Sequence, residues 1–503
     1  MSSPADAEGD RDHSRTPRRV AVIGAGISGL AAAFRLRELE PETDIVVLDR
    51  RHQPGGVLET SHRDGFCLEH GADNFITNVP WAVDLCERLG IAGDLMETDA
   101  ARRRTFVVHR GRLEPVPDGF MLLAPARLGP LLRTRLLSPW GKLRLAAEYF
   151  MPRRAVGGGD ESLASFARRR LGREVFERIV QPLVAGIYTA DAEQLSLRAT
   201  LPRFMDMERE HRSLIRAARR ESRESESAKN SSGARYGLFT TPRGGLQAMI
   251  AALVDQLPAK SLQLSRSVSK ISREGDARWR VTHVADDDTN GTAESFDCDA
   301  VIVTTPAPVA ATLLEAVDAQ LAEGLRTIPY AGSVVVLAGY RREQITHPLD
   351  GFGFVVPERE GRDILACSFS SVKYPGRAPE GCELLRVFLG GAGRPEFVEM
   401  DEAKIRQVVD RELGELLGVR GEPVVWQVAR YPGSMPQYHL GHLDRVGDIE
   451  RRVAEIKQLE LAGNAYHGVG IPNCIRSGEL AAERLLGRAE SRQTSAAVRS
   501  VAT

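Results

Sequence analysis

The chain has 503 residues, of which 42% are apolar and 27% charged, values typical of a soluble protein with two or more globular domains. Its formal net charge is −1, which excludes a general attraction to polyanions, so no nucleic-acid partner is expected. The six cysteines are scattered without Cys-x-x-Cys spacing, so the sequence predicts neither a metal site nor a disulfide framework and favours a reducing compartment.

Both ends of the chain are polar. Residues 1–17 lack the apolar stretch of a secretory signal, and residues 1–17 and 488–503 are predicted to be disordered. No run of about 18 apolar residues occurs, so no transmembrane helix is expected. Together these features favour a cytoplasmic protein.

The first structured segment, 18–78, opens with a strand, a glycine turn and a helix. The turn reads Gly24-Ala25-Gly26-Ile27-Ser28-Gly29. Its first glycine permits the tight turn, the second lets the backbone approach a pyrophosphate, and the third lets the helix pack on the strand. The helix that follows would direct its free N–H groups at the phosphates.

A second strand, 45–48, ends at an acidic residue, Asp49. Its distance along the chain from Gly29 matches the offset expected of a carboxylate that binds ribose hydroxyls. The whole pattern predicts a dinucleotide site, and a structural βαβ unit without a ligand is the alternative.

The glycines that follow indicate which dinucleotide is bound. Gly55-Gly56 comes just after the acidic strand end, and Gly71 ends a further extended segment. This sequel is not typical of NAD-dependent dehydrogenases. It favours FAD, because the flavin end of that cofactor must be met by segments far from the first turn. Taken singly, each later glycine is equally compatible with an ordinary β-turn.

The middle of the chain has a different character. Residues 79–210 are predicted to be mostly helical, with a β-hairpin around Arg110-Gly111. Within them, 124–149 is basic and leucine-rich, so it either lies on a membrane surface or forms a solvated face over an ordinary core. Residues 211–237 are charged and serine-rich over most of their length and are predicted to be a mobile loop.

The α/β pattern returns in the last part of the chain. Residues 238–329 are predicted to complete the nucleotide-binding domain, with a hairpin made by 261–271 and 279–284. Residues 330–440 alternate short strands and turns, which predicts a mixed sheet that floors or roofs a cavity. Residues 441–487 contain Gly463-Asn464 and Gly468-Val469-Gly470-Ile471 before a final helix, which repeats the phosphate-binding geometry. We therefore expect both ends of the chain to meet on one cofactor.

Together these motifs resemble the FAD-dependent amine oxidase and desaturase superfamily. The motifs that carry the resemblance are the opening glycine turn, Gly55-Gly56, Gly71-Ala72-Asp73 and the closing segment 463–471. Within that superfamily, the stretch 181–191 (QPLVAGIYTAD), 195–197 (LSL), 212–215 (RSLI), 375–379 (PGRAP) and 388–391 (FLGG) resemble the oxygen-dependent porphyrinogen oxidases of haem biosynthesis. The resemblance covers roughly residues 18–487.

The resemblance implies a fold and a set of site residues. The fold class would be α/β: a Rossmann-type FAD-binding domain of the p-hydroxybenzoate hydroxylase type, a mixed α+β substrate domain and a helical insertion. FAD would be bound by Gly24, Ala25, Gly26, Ile27, Ser28, Gly29, Asp49, Arg50, Gly55, Gly56, Val57, Leu58, Gly71, Ala72, Asp73, Asn74, Val268, Gly463, Asn464, Val469, Gly470 and Ile471. The substrate would lie against Thr105, Gly186, Ile187, Val355 and Phe388.

The resemblance also implies a reaction. It would remove six electrons from a porphyrinogen in three two-electron cycles, with O2 as the acceptor and H2O2 as the product. Coproporphyrinogen III is the leading substrate and protoporphyrinogen IX a close second. The reason is that Thr105 stands where eukaryotic members carry an arginine and that Asp73 is typical of Gram-positive members. Asp73 is the best catalytic candidate near the reacting face, with a helix or turn cap as its alternative role.

Three other classes share parts of this pattern. An amine oxidase would share the flavin motifs, but 430–435 holds no cysteine, so the FAD is expected to be non-covalent. A carotenoid desaturase would lack the middle motifs, and a binding module of the GDP-dissociation-inhibitor type would hold no flavin. The chain could be a monomer or a homodimer, and peripheral contact through 124–149 would place it on the inner face of the cytoplasmic membrane.

Overall fold

The structure is a computed structural model, and it describes residues 19–154, 159–224, 239–275, 278–285 and 292–488. The strands are β1 Arg19–Ile23, β2 Asp44–Leu48, β3 Thr60–Arg63, β4 Phe66–Glu69, β5 Phe75–Ile76, β6 Leu95–Glu97, β7 Thr105–His109, β8 Arg112–Pro115, β9 Phe120–Met121, β10 Ala124–Pro125, β11 Phe239–Pro242, β12 Leu262–Gln263, β13 Arg266–Glu274, β14 Arg278–Ala285, β15 Ala293–Cys298, β16 Ala300–Val303, β17 Tyr330–Arg341, β18 Gly353–Val355, β19 Ala366–Phe369, β20 Cys382–Gly390, β21 Val425–Pro436 and β22 Leu459–Leu461. The helices are α1 Ile27–Leu39, α2 Trp81–Arg88, α3 Leu128–Arg133, α4 Pro139–Ala147, α5 Leu163–Leu171, α6 Arg173–Val175, α7 Gln181–Tyr188, α8 Leu197–Thr200, α9 Pro202–His211, α10 Leu214–Glu224, α11 Gln247–Asp255, α12 Ala307–Leu314, α13 Ala319–Arg326, α14 Ser370–Lys373, α15 Glu402–Leu417, α16 His442–Glu455 and α17 Ile471–Leu485.

The nucleotide-binding domain is built on a parallel sheet in the order β12-β2-β1-β16-β22. Alternate residues of β1 are buried on opposite faces of this sheet. Val20 and Val22 pack toward α1, α11 and α17, whereas Ala21 and Ile23 pack toward α12, α13, α16 and the antiparallel sheet β13-β14-β15. Burial on both faces explains why these strands read as continuous apolar runs. The Rossmann-type α/β fold and the hairpin β13–β14 are confirmed.

The second domain is a seven-stranded sheet in the order β21-β17-β20-β19-β18-β7-β8. Its last two strands come from the segment 79–210, which the sequence predicted to be mostly helical. The hairpin β7–β8 is confirmed, but it does not lie in a helical unit. It extends the sheet of 330–440, because the buried run from Thr105 to Val107 pairs in parallel with β18.

The helical insertion is built around a core made by α5, α7, α9 and α10 with the segment 116–145, and Val107, Val355 and Ala366 of the seven-stranded sheet belong to the same core. The prediction of a mobile loop from 211 is wrong for α10, which begins at Leu214. The buried carboxylate of Glu148 accepts the backbone N–H groups of Leu214 (2.9 Å) and Ile215 (3.3 Å) and so caps this helix. Ala217 and Ala218 are buried, so the first turns of α10 pack against the protein core. Tertiary packing therefore overrides the polar composition of residues 211–237.

Some predictions fall on residues that the structure does not describe. Residues 1–17, 225–237 and 489–503 lie outside the described ranges. The division of the chain at 78, 210, 237, 329, 440 and 487 stays a prediction. In the described ranges, no helix combines the length and apolar character needed to cross a bilayer.

Candidate active site

The glycine turn between β1 and α1 shows which glycines the fold itself requires. Gly24 has φ +110° and donates its N–H to Leu48 O at 2.7 Å. A Cβ on Gly29 would lie 1.9 Å from Gly24 O, so a side chain has no room there. Gly26 differs, because a Cβ on it would meet nothing within 4 Å. The chain therefore needs Gly24 and Gly29 for its own packing, whereas Gly26 leaves an open cradle in front of the helix.

Two helices with uncapped N-termini, α1 and α17, pack against each other beside this turn. Helix α1 begins after Gly26 and α17 after Gly470, and neither is capped by a side chain. The two helices are closely packed, since a Cβ on Gly478 would lie 2.1 Å from Ser28 O. The uncapped N–H groups at the N-terminus of α1, in front of the cradle at Gly26, suit a bound diphosphate.

Asp49 lies at the carboxyl end of β2, as predicted. Its carboxylate accepts the backbone N–H groups of Ala25 (2.7 Å) and Arg51 (2.8 Å), which fixes the side chain beside the turn. Each carboxylate oxygen keeps a further lone pair for a ribose hydroxyl. The chain entering β13 passes alongside, with Arg266 N donating to Asp49 O at 2.8 Å, and Val268 follows on that strand.

The second glycine pair connects the turn to the next segment. Gly55 donates its N–H to Ala25 O at 2.8 Å, and a Cβ on Gly56 would lie 3.3 Å from the Cα of Gly26. Gly71 packs against Val57, the residue after Gly56, since a Cβ on Gly71 would lie 2.1 Å from Val57 O. The backbone of 55–57 therefore lies between the glycine turn and Gly71.

Tyr438 holds the closing segment at two points. Tyr438 donates its hydroxyl hydrogen to Asn464 O at 2.5 Å and accepts the N–H of Gly468 at 2.8 Å. This clamp fixes 464–468 just before the N-terminus of α17. The open cradle, the two uncapped helix ends and the carboxylate at the end of β2 together fit an extended dinucleotide.

A cavity of about 230 Å³ lies between the seven-stranded sheet and the helical insertion. Its wall contains seven residues that the sequence assigned to the substrate or the flavin: Asp73, Asn74, Thr105, Gly186, Ile187, Val355 and Phe388. They come from five separate parts of the chain. Ile187 stands at the rim, with 42% of its surface exposed, whereas Thr105 is buried. Arg104, one residue away, lies at the surface and pairs with Asp350 at 3.0 Å.

Sequence reasoning predicted Asp73 but missed the two cations of this cavity. Lys373 at the end of α14 and Arg386 in β20 both line it, and both approach one oxygen of Asp73, at 3.3 Å and 3.0 Å. Arg386 also donates to Gly71 O. The one available signal was an arginine in the otherwise apolar run LLRVFLG, where a charge is out of place in a buried strand.

The two cations determine the ionisation of Asp73. Burial alone would raise the pKa of this carboxyl, but the charges of Lys373 and Arg386 outweigh it and lower the pKa to about 2. Burial lowers the pKa of Lys373, with the charge of Asp73 acting in the opposite direction. Asp73 is therefore an anion at neutral pH and a weak proton acceptor.

Comparison with known proteins identifies the family. The pattern of the flavin-containing amine oxidoreductases matches residues 27–486. The chain belongs to this family. It is therefore a flavin-dependent oxidoreductase, and the superfamily predicted from the glycine motifs is confirmed.

Individual members of this family match over nearly the whole chain. The coproporphyrinogen III oxidase of Bacillus subtilis (strain 168) is 32% identical over 92% of this chain and 97% of its own. The enzyme of that name from Propionibacterium freudenreichii subsp. freudenreichii is 33% identical over 100% and 96%. A crystal structure from Exiguobacterium sp. 255-15, named as a candidate protoporphyrinogen oxidase, superposes with a TM-score of 0.83 at 29% identity, covering 94% of this chain and 99% of that one. The resemblance to porphyrinogen oxidases is thereby confirmed.

Proposed function

We propose that this protein is a porphyrinogen oxidase of haem biosynthesis that converts coproporphyrinogen III to coproporphyrin III. The observation that carries the proposal is the cavity, whose wall unites Thr105, Gly186, Ile187, Val355 and Phe388, residues named only from the porphyrinogen oxidase pattern. Full-length relatives that bear the coproporphyrinogen name support the same choice. Protoporphyrinogen IX remains the second candidate substrate.

The cofactor that fits is FAD. The cradle at Gly26 and the N-terminus of α1 would hold its diphosphate, and Asp49 would bind the adenosine ribose. Residues 71–74 and 469–471 would border the flavin ring. A bound flavin would supply the redox chemistry, with the porphyrinogen as donor of two electrons in each of three cycles, O2 as the final acceptor and H2O2 as the product.

Non-covalent attachment is favoured by the state of the cysteine beside the closing segment. Cys474 is buried in α17, and burial raises the pKa of its thiol to about 12. The thiolate is the nucleophilic form of cysteine, so this residue is poorly suited to form a thioether. We expect denaturation to release the flavin into solution.

The side chains of the cavity orient the macrocycle and exclude water. Phe388 and Val355 offer apolar surfaces for a flat ring, and Ile187 covers the rim. Asp73, held as an anion by Lys373 and Arg386, can accept hydrogen bonds from pyrrole N–H groups. With a pKa of about 2, it is better suited to orient the substrate than to remove a proton.

Relative rates test the substrate preference. Coproporphyrinogen III and protoporphyrinogen IX are oxidised in parallel fluorimetric assays at matched concentrations with the purified, FAD-loaded protein. We expect a higher kcat/KM for coproporphyrinogen III. A clear preference for protoporphyrinogen IX would reject this choice of substrate, and a colourless protein that FAD cannot reconstitute would reject the enzyme itself.

We also propose that the protein binds peripherally to the inner face of the cytoplasmic membrane. In and beside α3 and α4, Leu132, Trp140, Leu143 and Phe150 expose 68%, 78%, 59% and 73% of their surfaces. Exposed apolar groups beside basic residues are typical of an interfacial membrane contact. Arg144, counted with the basic residues of 124–149, has another role, because it donates to the carbonyl oxygens of 168–170 at the end of α5.

A further inference from the structure

The cavity wall has an excess of positive charge. Lys373 and Arg386 approach the same oxygen of Asp73, so two cations face one carboxylate. The neighbouring pair of Arg377 and Glu69, 3.5 Å apart, is neutral as a whole. One positive charge is therefore left without a counter-charge on the side of the cavity formed by α14 and β20.

Arg386 also carries a donor without an acceptor. Its side chain is 2% exposed, donates to Gly71 O and pairs with Asp73, yet its Nε is buried with no hydrogen-bond partner among the described residues. A buried N–H of a charged group is costly when it is left unpaired. An acceptor brought by a ligand would remove this cost.

Aromatic rings surround both cations. The Nζ of Lys373 lies 5.7 Å and 5.3 Å from the ring centres of Phe239 and Tyr374, and the guanidinium of Arg386 lies 5.2 Å from that of Phe388. Rings exclude water and so strengthen electrostatic attraction at this wall. The wall therefore attracts an anionic group and repels a protonated amine.

We propose that Lys373 and Arg386 form a carboxylate subsite that binds one propionate of the porphyrinogen. This inference rests on the proposed function. A cavity of about 230 Å³ is smaller than the roughly 300–1,000 Å³ that enclose drug-sized ligands, so it holds one edge of a macrocycle and not the whole. One carboxylate at that edge matches the single excess charge and supplies the acceptor that Arg386 Nε lacks.

The test compares binding of an acid and its ester. Coproporphyrin III and its tetramethyl ester, in the same detergent, are titrated by fluorescence against the FAD-loaded wild type and against Lys373→Met, Lys373→Arg and Lys404→Met. Methionine keeps the apolar stem of Lys373 between its aromatic neighbours. Lys404 is an exposed lysine with 69% of its side chain accessible, which makes it the matched control.

The expected result is a smaller preference for the acid in one variant only. Lys373→Met should reduce the ratio of ester to acid Kd about tenfold, because a buried charge-assisted contact is lost. Lys404→Met should leave this ratio unchanged. Lys373→Arg should keep a ratio close to that of the wild type. If Lys373→Met does not retain FAD, Asp73→Asn is used instead. It removes a negative charge from the same wall and should therefore increase the ratio of ester to acid Kd.

An unchanged ratio in Lys373→Met would overturn the subsite. If the midpoint potential of the flavin shifts in that variant while the ratio is unchanged, the cations act on the cofactor and not on the substrate. Failure of the proposed function looks different, because the wild type itself would then neither bind coproporphyrin III nor oxidise a porphyrinogen.

Discussion

The glycine turn and the cavity are joined through residues 55–74, but they are made of different parts. At the turn, Gly26 and the N-terminus of α1 present open space and backbone N–H groups, and Asp49 is fixed by two backbone N–H groups. At the cavity, side chains arrive from β7, α7, α14, β18 and β20. A site made of backbone can be recognised from a short sequence motif, whereas a site made of side chains depends on how distant segments pack.

The largest effect on stability is expected at Gly29, and Gly26 of the same turn should differ from it. Gly29→Ala should lower the free energy of unfolding by about 3 kcal/mol or more, because its Cβ would lie 1.9 Å from Gly24 O in a packed region. Gly26→Ala is the matched control, since its Cβ meets nothing within 4 Å. It should leave the stability of the FAD-free protein within about 1 kcal/mol of wild type and weaken FAD binding. Urea unfolding and FAD titration distinguish the two, and normal FAD affinity in Gly26→Ala would contradict the cradle.

The next effect concerns the charges of the cavity. The pKa of Asp73 is about 2 in the folded protein, below the roughly 3.9 of an unfolded aspartate. Its stabilisation, on the order of 2 kcal/mol, is therefore complete above about pH 4 and is lost as the pH falls toward 2. The difference in unfolding free energy between wild type and Asp73→Asn should shrink as the pH falls from 5 to 3. A constant difference over this range would mean that Asp73 is not held by its two cations.

A smaller effect is expected at the apolar wall. Phe388→Ala should raise the KM for coproporphyrinogen III about tenfold, because the substrate loses an aromatic contact, while the amount of bound FAD stays constant. Phe388→Leu keeps apolar bulk without a flat ring and should raise KM less. Steady-state assays with measured flavin content decide this, and equal KM values in both variants and wild type would remove Phe388 from the substrate site.

The smallest effect on stability and catalysis is expected at the exposed apolar surface of α4. Trp140→Ser with Leu143→Ser should reduce partitioning onto anionic liposomes about tenfold through lost apolar burial and leave activity in detergent unchanged. Arg133→Gln with Arg135→Gln should mainly reduce the salt dependence of partitioning. Cosedimentation measures both, and unchanged partitioning in both double variants would make this segment an ordinary solvated face.

The sequence predicted the backbone-based parts because they are local. The elements β1, glycine turn, α1 and β2 follow one another without interruption along the chain. Their apolar runs and turn residues therefore predict this order directly. The five substrate residues were available only through the resemblance, since no local pattern connects Thr105 with Phe388. Their common cavity is a product of the pairing of β7 with β18 and of β19 with β20.

What could not be predicted depends on contacts between segments that are far apart in the chain. Helix α10 forms because Glu148, which precedes the whole of α5 to α9, accepts its first N–H groups. Lys373 and Arg386 become part of the cavity because Asp73, which belongs to the first structured segment, lies between them. No fixed spacing along the sequence indicates that these three charged residues meet in the folded protein.

Anaerobic reduction of the bound flavin by coproporphyrinogen III tests the proposed porphyrinogen oxidase activity most directly. The visible absorbance of the flavin reports the reduction. Because each porphyrinogen gives up six electrons, one molecule should bleach three flavins, and admission of O2 should restore the absorbance and release H2O2. A flavin that no porphyrinogen bleaches, but that an amine does, would contradict the proposed porphyrinogen oxidase activity.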